Sequence, residues 1–202
     1  MPRSGSETRE ALVRAGERLF AANGIDATTT TSLVEEAGQR NNNAVGFHFG
    51  DKDGLVAAIL DKHQRVIDDD RRARLASLPA AVDADVVARA LVEPLVDRLR
   101  DVDGGAAYVR IQAEVAGRTR GALPPAPPEG LARLLELALP FAAGLDEPDF
   151  LLHAQVIFIV AVQGLAAFLD DTPAPDDATI ERWNEVLVNA VAVLLTGAAG
   201  LR

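Results

Sequence analysis

Residues 28–50 read TTTTSLVEEAGQRNNNAVGFHFG. Leu33, Val34 and Ala37 carry helical spacing, and one of the threonines around Thr30 can cap that short helix. Gly38 breaks it. A second short helix is expected from about Asn42 to Phe49, ended by Gly50. Helix, tight turn, short helix is helix-turn-helix geometry, with a second helix small enough to lie in a DNA major groove. Three consecutive asparagines at the start of that helix are unusual, because Asn competes with the helical backbone for hydrogen bonds. Val45 and Phe49 are four apart and would face Leu33 and Phe20, which turns Asn42, Asn43, Gly46 and Phe47 outward. An amide there can take adenine N6/N7 bidentately, or cap the helix and hold a phosphate. A plain polar turn is the competing reading.

Working outward, residues 7–23 form a first helix with Leu12, Leu19 and Phe20 on one side, closed by Asn23-Gly24. Asp51 is a plausible N-cap for a longer helix reaching about Leu75. Further helices are expected near 84–102, 105–120, 129–143, 148–170 and 177–198. Their separators are Pro79, Gly104-Gly105, the proline-rich 124–128, Gly144 with Pro148, and 173–175. No alternating run bounded by hairpin turns suggests strands. The expected class is all-α, with a head at 1–50 and a larger helical body at 51–202.

Cysteine is absent, which removes disulfides, thiolate metal sites and cysteine nucleophiles. His48, His63 and His153 form no ligand-spaced pair, the four serines sit in no nucleophile elbow, and no phosphate loop occurs. Neither an enzyme nor a cofactor or metal site is expected. The net charge of −10 argues against a general polyanion binder, but it is uneven. Residues 1–52 carry six Lys/Arg and seven Asp/Glu, against 14 and 23 in the remainder. Contact with nucleic acid would rest on a few placed cations. MPRSGSETRE has no apolar run of a signal peptide, and the apolar stretch 154–169 carries Gln155 and Gln163. A cytoplasmic protein without membrane association is expected.

The run TREALVRAGERLFAANGIDATTTTSLVEEAG, followed by AVGFHFGDKDGLVAAIL, resembles the DNA-binding head of TetR-type transcriptional regulators over residues 8–60. The most specific parts are LF…G-x-x-A-T and F-H-F-G-x-K-x-x-L. The resemblance implies a homodimer whose three-helix head reads operator DNA and whose helical body binds a small effector that releases the DNA. It implies that Thr30 or Thr31 touches phosphate and that Arg40, Asn41, Asn42 and Asn43 open the recognition helix. It also implies that His48 lies near the DNA backbone and that Lys52 contacts phosphate. The turn is one residue longer than the usual pattern, and Gly46 and Phe47 stand where tyrosines are common.

The body offers three further expectations. Residues 148–170 are apolar nearly all round, and 177–198 adds Ile180, Trp183, Leu187, Ala190 and Leu194 as a seam with Val186 and Val193 beside it. One chain struggles to cover two such helices, so a two-fold interface is expected through Phe158, Val162, Trp183, Leu187, Ala190 and Leu194. Polar or aromatic groups on apolar helices (His63, Tyr108, Gln112, Gln155, Phe158 and Gln163) are candidate effector contacts, and equally candidate hydrogen-bonded core residues. Asp68-Asp69-Asp70-Arg71-Arg72 reads as a solvated helix face, and Arg110 with Glu114 as a structural i, i+4 pair. The function expected is a DNA-binding regulator, acting as a repressor released by a small, largely apolar effector. The alternatives are control by a protein partner or a helical-bundle enzyme.

Overall fold

The computed structural model describes residues 5–79, 81–121, 126–142 and 144–197. The expected proline-rich separator and the last residues expected for helices 129–143 and 177–198 fall partly outside that range. Among the described residues the secondary structure is helical, with no strand. The helices are α1 (Gly5–Asn23), α2 (Thr30–Glu36), α3 (Ala44–Phe49), α4 (Lys52–Ala76), α5 (Ala84–Val96), α6 (Gly105–Thr119), α7 (Glu129–Ala138), α8 (Glu147–Asp171) and α9 (Asp177–Gly197).

Caps place most of the starts. Asp51, Asp83 and Asp146 each accept a hydrogen bond from the backbone amide three residues on, at 2.7–2.9 Å. α3 starts at Ala44 rather than Asn42. α5 ends at Val96 rather than near 102, because Pro94 lies inside it. A proline has no amide to donate and cannot hold the regular ladder, so residues 97–100 tighten into a 3-10 turn.

Two cores result. The head core gathers Leu12, Phe20, Leu33 and Val45, and also Leu55 and Ile59 from the first half of α4 and Ile111 from α6. The body core joins α5, α8 and α9 around Val92, Leu165, Leu169, Trp183 and Val188, with Trp183 stacked on Phe168 at 5.2 Å. α4 therefore runs through both, and α6 carries a foot in the head.

Head and body are fastened by a buried charge. Glu17 of α1 lies in the interior and meets Lys62 Nζ at 2.9 Å and His63 Nε2 at 2.8 Å, both from α4. Gly104, at φ +92, passes so close that a Cβ there would fall 2.7 Å from the Glu17 carboxyl carbon. Only glycine combines that left-handed backbone with that approach.

Candidate functional site

The α2–α3 unit shows what the asparagines do. Thr29 is the α2 cap, its hydroxyl accepting from Ser32 N at 3.1 Å, and Thr30 and Thr31 open the helix with exposed side chains. After α2, Gly38 N and Gln39 N donate back to Glu35 O and Val34 O, both at 2.9 Å. Asn41 then makes the turn: its side-chain oxygen accepts from Asn43 N at 3.0 Å, and its carbonyl accepts from Ala44 N at 3.0 Å. Asn43 occupies the cap position without a side-chain cap bond, and its amide folds across α3, with Oδ1 2.6 Å from where a Cβ on Gly46 would stand. Asn42 is exposed, and its amide has no partner among the described residues. The two asparagines expected to face outward therefore differ: Asn43 takes the cap position with its amide folded across α3, while Asn41 supplies the local hydrogen bond and Asn42 has no side-chain partner among the described residues.

Beside it, Arg40 is exposed without a partner among the described residues, and Phe47 stands 78% exposed on α3. His48 is half-buried, its ring 5.0 Å from Phe47 edge-on. Val45 points into the head core, as the four-residue spacing required. Thr30, Thr31, Arg40, Asn42 and Phe47 are exposed, as are Asn41 and Asn43, whose amides bend to the turn and to α3.

Lys52 is engaged elsewhere. Its ammonium donates to Ile25 O at 2.8 Å, Thr28 O at 3.1 Å and Asp26 O at 3.4 Å. An ammonium has three protons, and these carbonyls take all of them. Lys52 thereby ties the start of α4 to the α1–α2 turn, which corrects its expected role as a free phosphate contact. Lys52→Ala is expected to cost about 1 kcal/mol of stability. It should leave the slope of DNA affinity against salt unchanged, where a lost phosphate contact would lower that slope by about one. Urea unfolding and a salt titration of binding measure the two.

Under the head lies a cavity of about 260 Å³ among α4, α5, α6, α7 and α8. Its apolar wall includes Leu60, Ile67, Leu91, Leu95, Leu131 and Phe158, and its polar wall holds Gln64, Asp68, Arg71, Tyr108 and Gln112. Of the expected effector contacts, Tyr108, Gln112 and Phe158 line it. His63 sits behind the wall, stacked on Tyr108 at 4.8 Å. Gln155 does not line it, and the Gln163 amide donates to Ala113 O at 2.8 Å from an exposed position on α8.

The charged run 68–72 is corrected. Asp68 and Arg71 are buried, at 8% and 6% exposure, and both line the cavity. The Asp68 carboxylate accepts from Gly130 N at 3.2 Å and Leu131 N at 3.1 Å, so it caps α7 from a distance, where Pro128 offers no side-chain cap. Burial pulls the Arg71 guanidinium below its ordinary range, with Asp68 opposing, and burial pushes the Tyr108 phenol up.

α6 has two working faces. Tyr108, Gln112, Val115 and Thr119 line the cavity at i, i+4, i+7 and i+11. On its other side Glu114 accepts from Ile25 N at 3.0 Å, and Arg118 meets Asp26 at 2.9 Å. The expected Arg110–Glu114 pair does not form: Arg110 donates to Leu169 O at 2.8 Å, while Glu114 pairs with Arg118. The bond of Glu114 to a backbone amide 89 residues away leaves no mark in local spacing.

The expected two-fold seam is also corrected. Val162, Trp183 and Leu187 are buried inside their own chain, and Leu187 packs on Gly164 where α8 crosses α9. Phe158, Ala190 and Leu194 are partly buried against the body core or beside it. The apolar surface left open is the neighbouring stripe: Leu152 and Val156 on α8, Val186 and Val193 on α9. By length and composition α8 could cross a membrane, yet only 33% of its most apolar stretch is buried in the chain. His153, between these faces, is satisfied by Leu194 O at 2.9 Å.

Residues 12–59 match the family described as bacterial regulatory proteins, tetR family. No curated protein matches the chain. Among solved structures, the fatty acid degradation regulator from Bacillus halodurans is similar with TM-score 0.57 and 19% identity, covering 96% of each chain. A TetR-family transcriptional regulator from Streptomyces coelicolor follows at TM-score 0.55 and 21% identity, covering 96% of this chain and 97% of that one. A gamma-butyrolactone receptor is similar at TM-score 0.50 and 20% identity, covering 93% of this chain and 98% of that one. At such identities the likeness of the body is one of fold.

Proposed function

We propose that this chain, which belongs by its head to the TetR family of bacterial transcriptional regulators, is a homodimeric repressor that leaves its operator when a small molecule enters the cavity under the head. The observation that carries the reading is the exposed α2–α3 row. Arg40 and Asn42 stand exposed in the turn between α2 and α3, with no side-chain partner among the described residues, and Phe47 stands exposed on α3, all within the stretch that carries the family match. Their chemistry suits base edges: guanidinium to guanine, amide to adenine, a ring against the thymine methyl. Thr30 and Thr31 are placed for phosphate, and Asn41, Asn43 and His48 set the shape of the recognition helix.

Release follows from α6. A molecule pressing on Tyr108, Gln112 and Val115 displaces a helix whose Glu114 and Arg118 hold the α1–α2 turn. The head then favours a position that no longer fits two half-sites, a shift of population with a coupling free energy between cavity and DNA. The second copy docks on the open stripes of α8 and α9, which explains so apolar a face on a cytoplasmic protein.

Selection of fragments from a random DNA pool by the intact protein tests this. The expected product is a two-fold symmetric site. Asn42→Ala should relax preference at one base pair per half-site by roughly 1–3 kcal/mol while leaving the melting temperature unchanged. A pool that shows no enrichment overturns the reading.

A further inference from the structure

The cavity holds a cation, Arg71, that makes no salt bridge among the described residues. Arg71 is anchored through Nε, which donates to Ala90 O at 3.3 Å. That carbonyl is available because Pro94, four residues on, has no amide to offer it. The terminal nitrogens of the guanidinium make no bond to the described chain, and no carboxylate comes within salt-bridge distance. Asp68, the nearest acid in the wall, is occupied: its two oxygens accept from the α7 amides of Gly130 and Leu131, and Arg72 Nε stands 3.6 Å from it. Tyr108, on the facing helix and kept as a neutral phenol, brings a hydroxyl with no hydrogen bond among the described residues into the same cavity. The Gln64–Gln112 amide pair, at 3.3 Å, completes the polar end. Apart from Thr119 the rest of the lining is apolar, and beyond Leu91, Leu131 and Phe158 a second, smaller space of about 40 Å³ continues it.

We propose that the effector is a small monocarboxylic acid with an apolar body, its carboxylate taken by the Arg71 fork and the Tyr108 hydroxyl and its body lying against Phe158. This rests on the reading of the cavity as the effector site. A mostly buried guanidinium whose terminal N–H groups lack a protein partner is costly, and a planar two-oxygen anion satisfies those N–H groups in one step. A phosphate monoester would bring a second charge, which the nearby Asp68 opposes. A cavity of this volume, just under the range of drug-sized sites, suits one short body.

The test is calorimetric titration of the intact protein with matched sets: octanoate, octanamide and 1-octanol, and phenylacetate with phenylacetamide. At least one acid is expected to bind about ten- to a hundred-fold tighter than its amide or alcohol. Arg71→Met should remove that gap while retaining the neutral ligand, and Arg71→Lys should restore part of it. Tyr108→Phe should narrow the gap several-fold, which keeps the proposal testable if Arg71→Met fails to fold. Neutral members binding as well as their acids, or a gap that survives Arg71→Met, would overturn the carboxylate while leaving the cavity as a binding site. No binding by any member would overturn the cavity reading itself.

Discussion

Leu187→Glu is expected to unfold the chain, whereas Val193→Glu, six residues along the same helix, is expected to leave it folded and monomeric. Leu187 is 4% exposed and packs against Gly164 at the α8–α9 crossing. The change removes a buried leucine, at about 2–5 kcal/mol, and puts a carboxylate into the apolar crossing. Together these approach the whole stability of an ordinary domain. Val193 is 68% exposed. A glutamate there is hydrated in the single chain and is desolvated only when a second copy covers the stripe. An isologous interface repeats that penalty twice. A loss of about 4 kcal/mol in association raises the dimer dissociation constant roughly a thousand-fold. Sedimentation gives the mass and far-ultraviolet circular dichroism the fold. A wild-type chain that sediments as a monomer at micromolar concentration would remove the interface, and a folded Leu187→Glu chain would remove its assignment to the core.

The contrast marks where sequence reading stops. The head was legible because its information is local: Leu33, Val45 and Phe20 fall at helical spacing, and the family motifs sit within sixty residues. The helices of the body were legible too, to within a turn or so, since periodicity and capping aspartates are local signals. Which face of a helix meets which neighbour was not. α8 is apolar almost all round and α9 sets valines beside its seam, so Leu187 and Val186 look alike until the crossing at Gly164 separates them. The run 68–72 looked solvated because charge normally faces water. Two of its members, Asp68 and Arg71, are buried by distant partners: the bare amides of α7, drawn to Asp68, and the carbonyl freed by Pro94, drawn to Arg71. Lys52 was read as a hand held out to DNA. Its true partners are three carbonyls of a turn more than twenty residues earlier. In each case the missing fact was a long-range partner for a polar group.

The same logic bears on the link between head and body. Glu17→Leu is expected to destabilise the protein by about 2–3 kcal/mol and to blunt the response of DNA binding to any effector. Breaking a buried ion pair typically costs about 3–5 kcal/mol, because the remaining charge stays desolvated. Here the cost falls at or below that range. Lys62 is one-third exposed and keeps Asp103, whose carbonyl and carboxylate lie at 3.1 and 3.3 Å. His63 is less fortunate. It is buried, loses its 2.8 Å partner, and is the ring on which Tyr108 stacks. The leucine would also crowd the left-handed turn at Gly104, which was shaped around a carboxylate. Since Tyr108 lines the cavity and Glu17 belongs to α1, the triad Tyr108–His63–Glu17 runs beside α6 as a second contact between cavity and head. Urea unfolding measures the first effect. Fragment release from operator DNA at saturating effector measures the second. Glu17→Gln, which keeps the hydrogen bonds and drops the charge, should recover most of the release and part of the stability. If Glu17→Leu unfolds at the wild-type urea concentration, the buried pair contributes nothing to the fold. If release is intact in that variant, coupling passes through Glu114 and Arg118 alone.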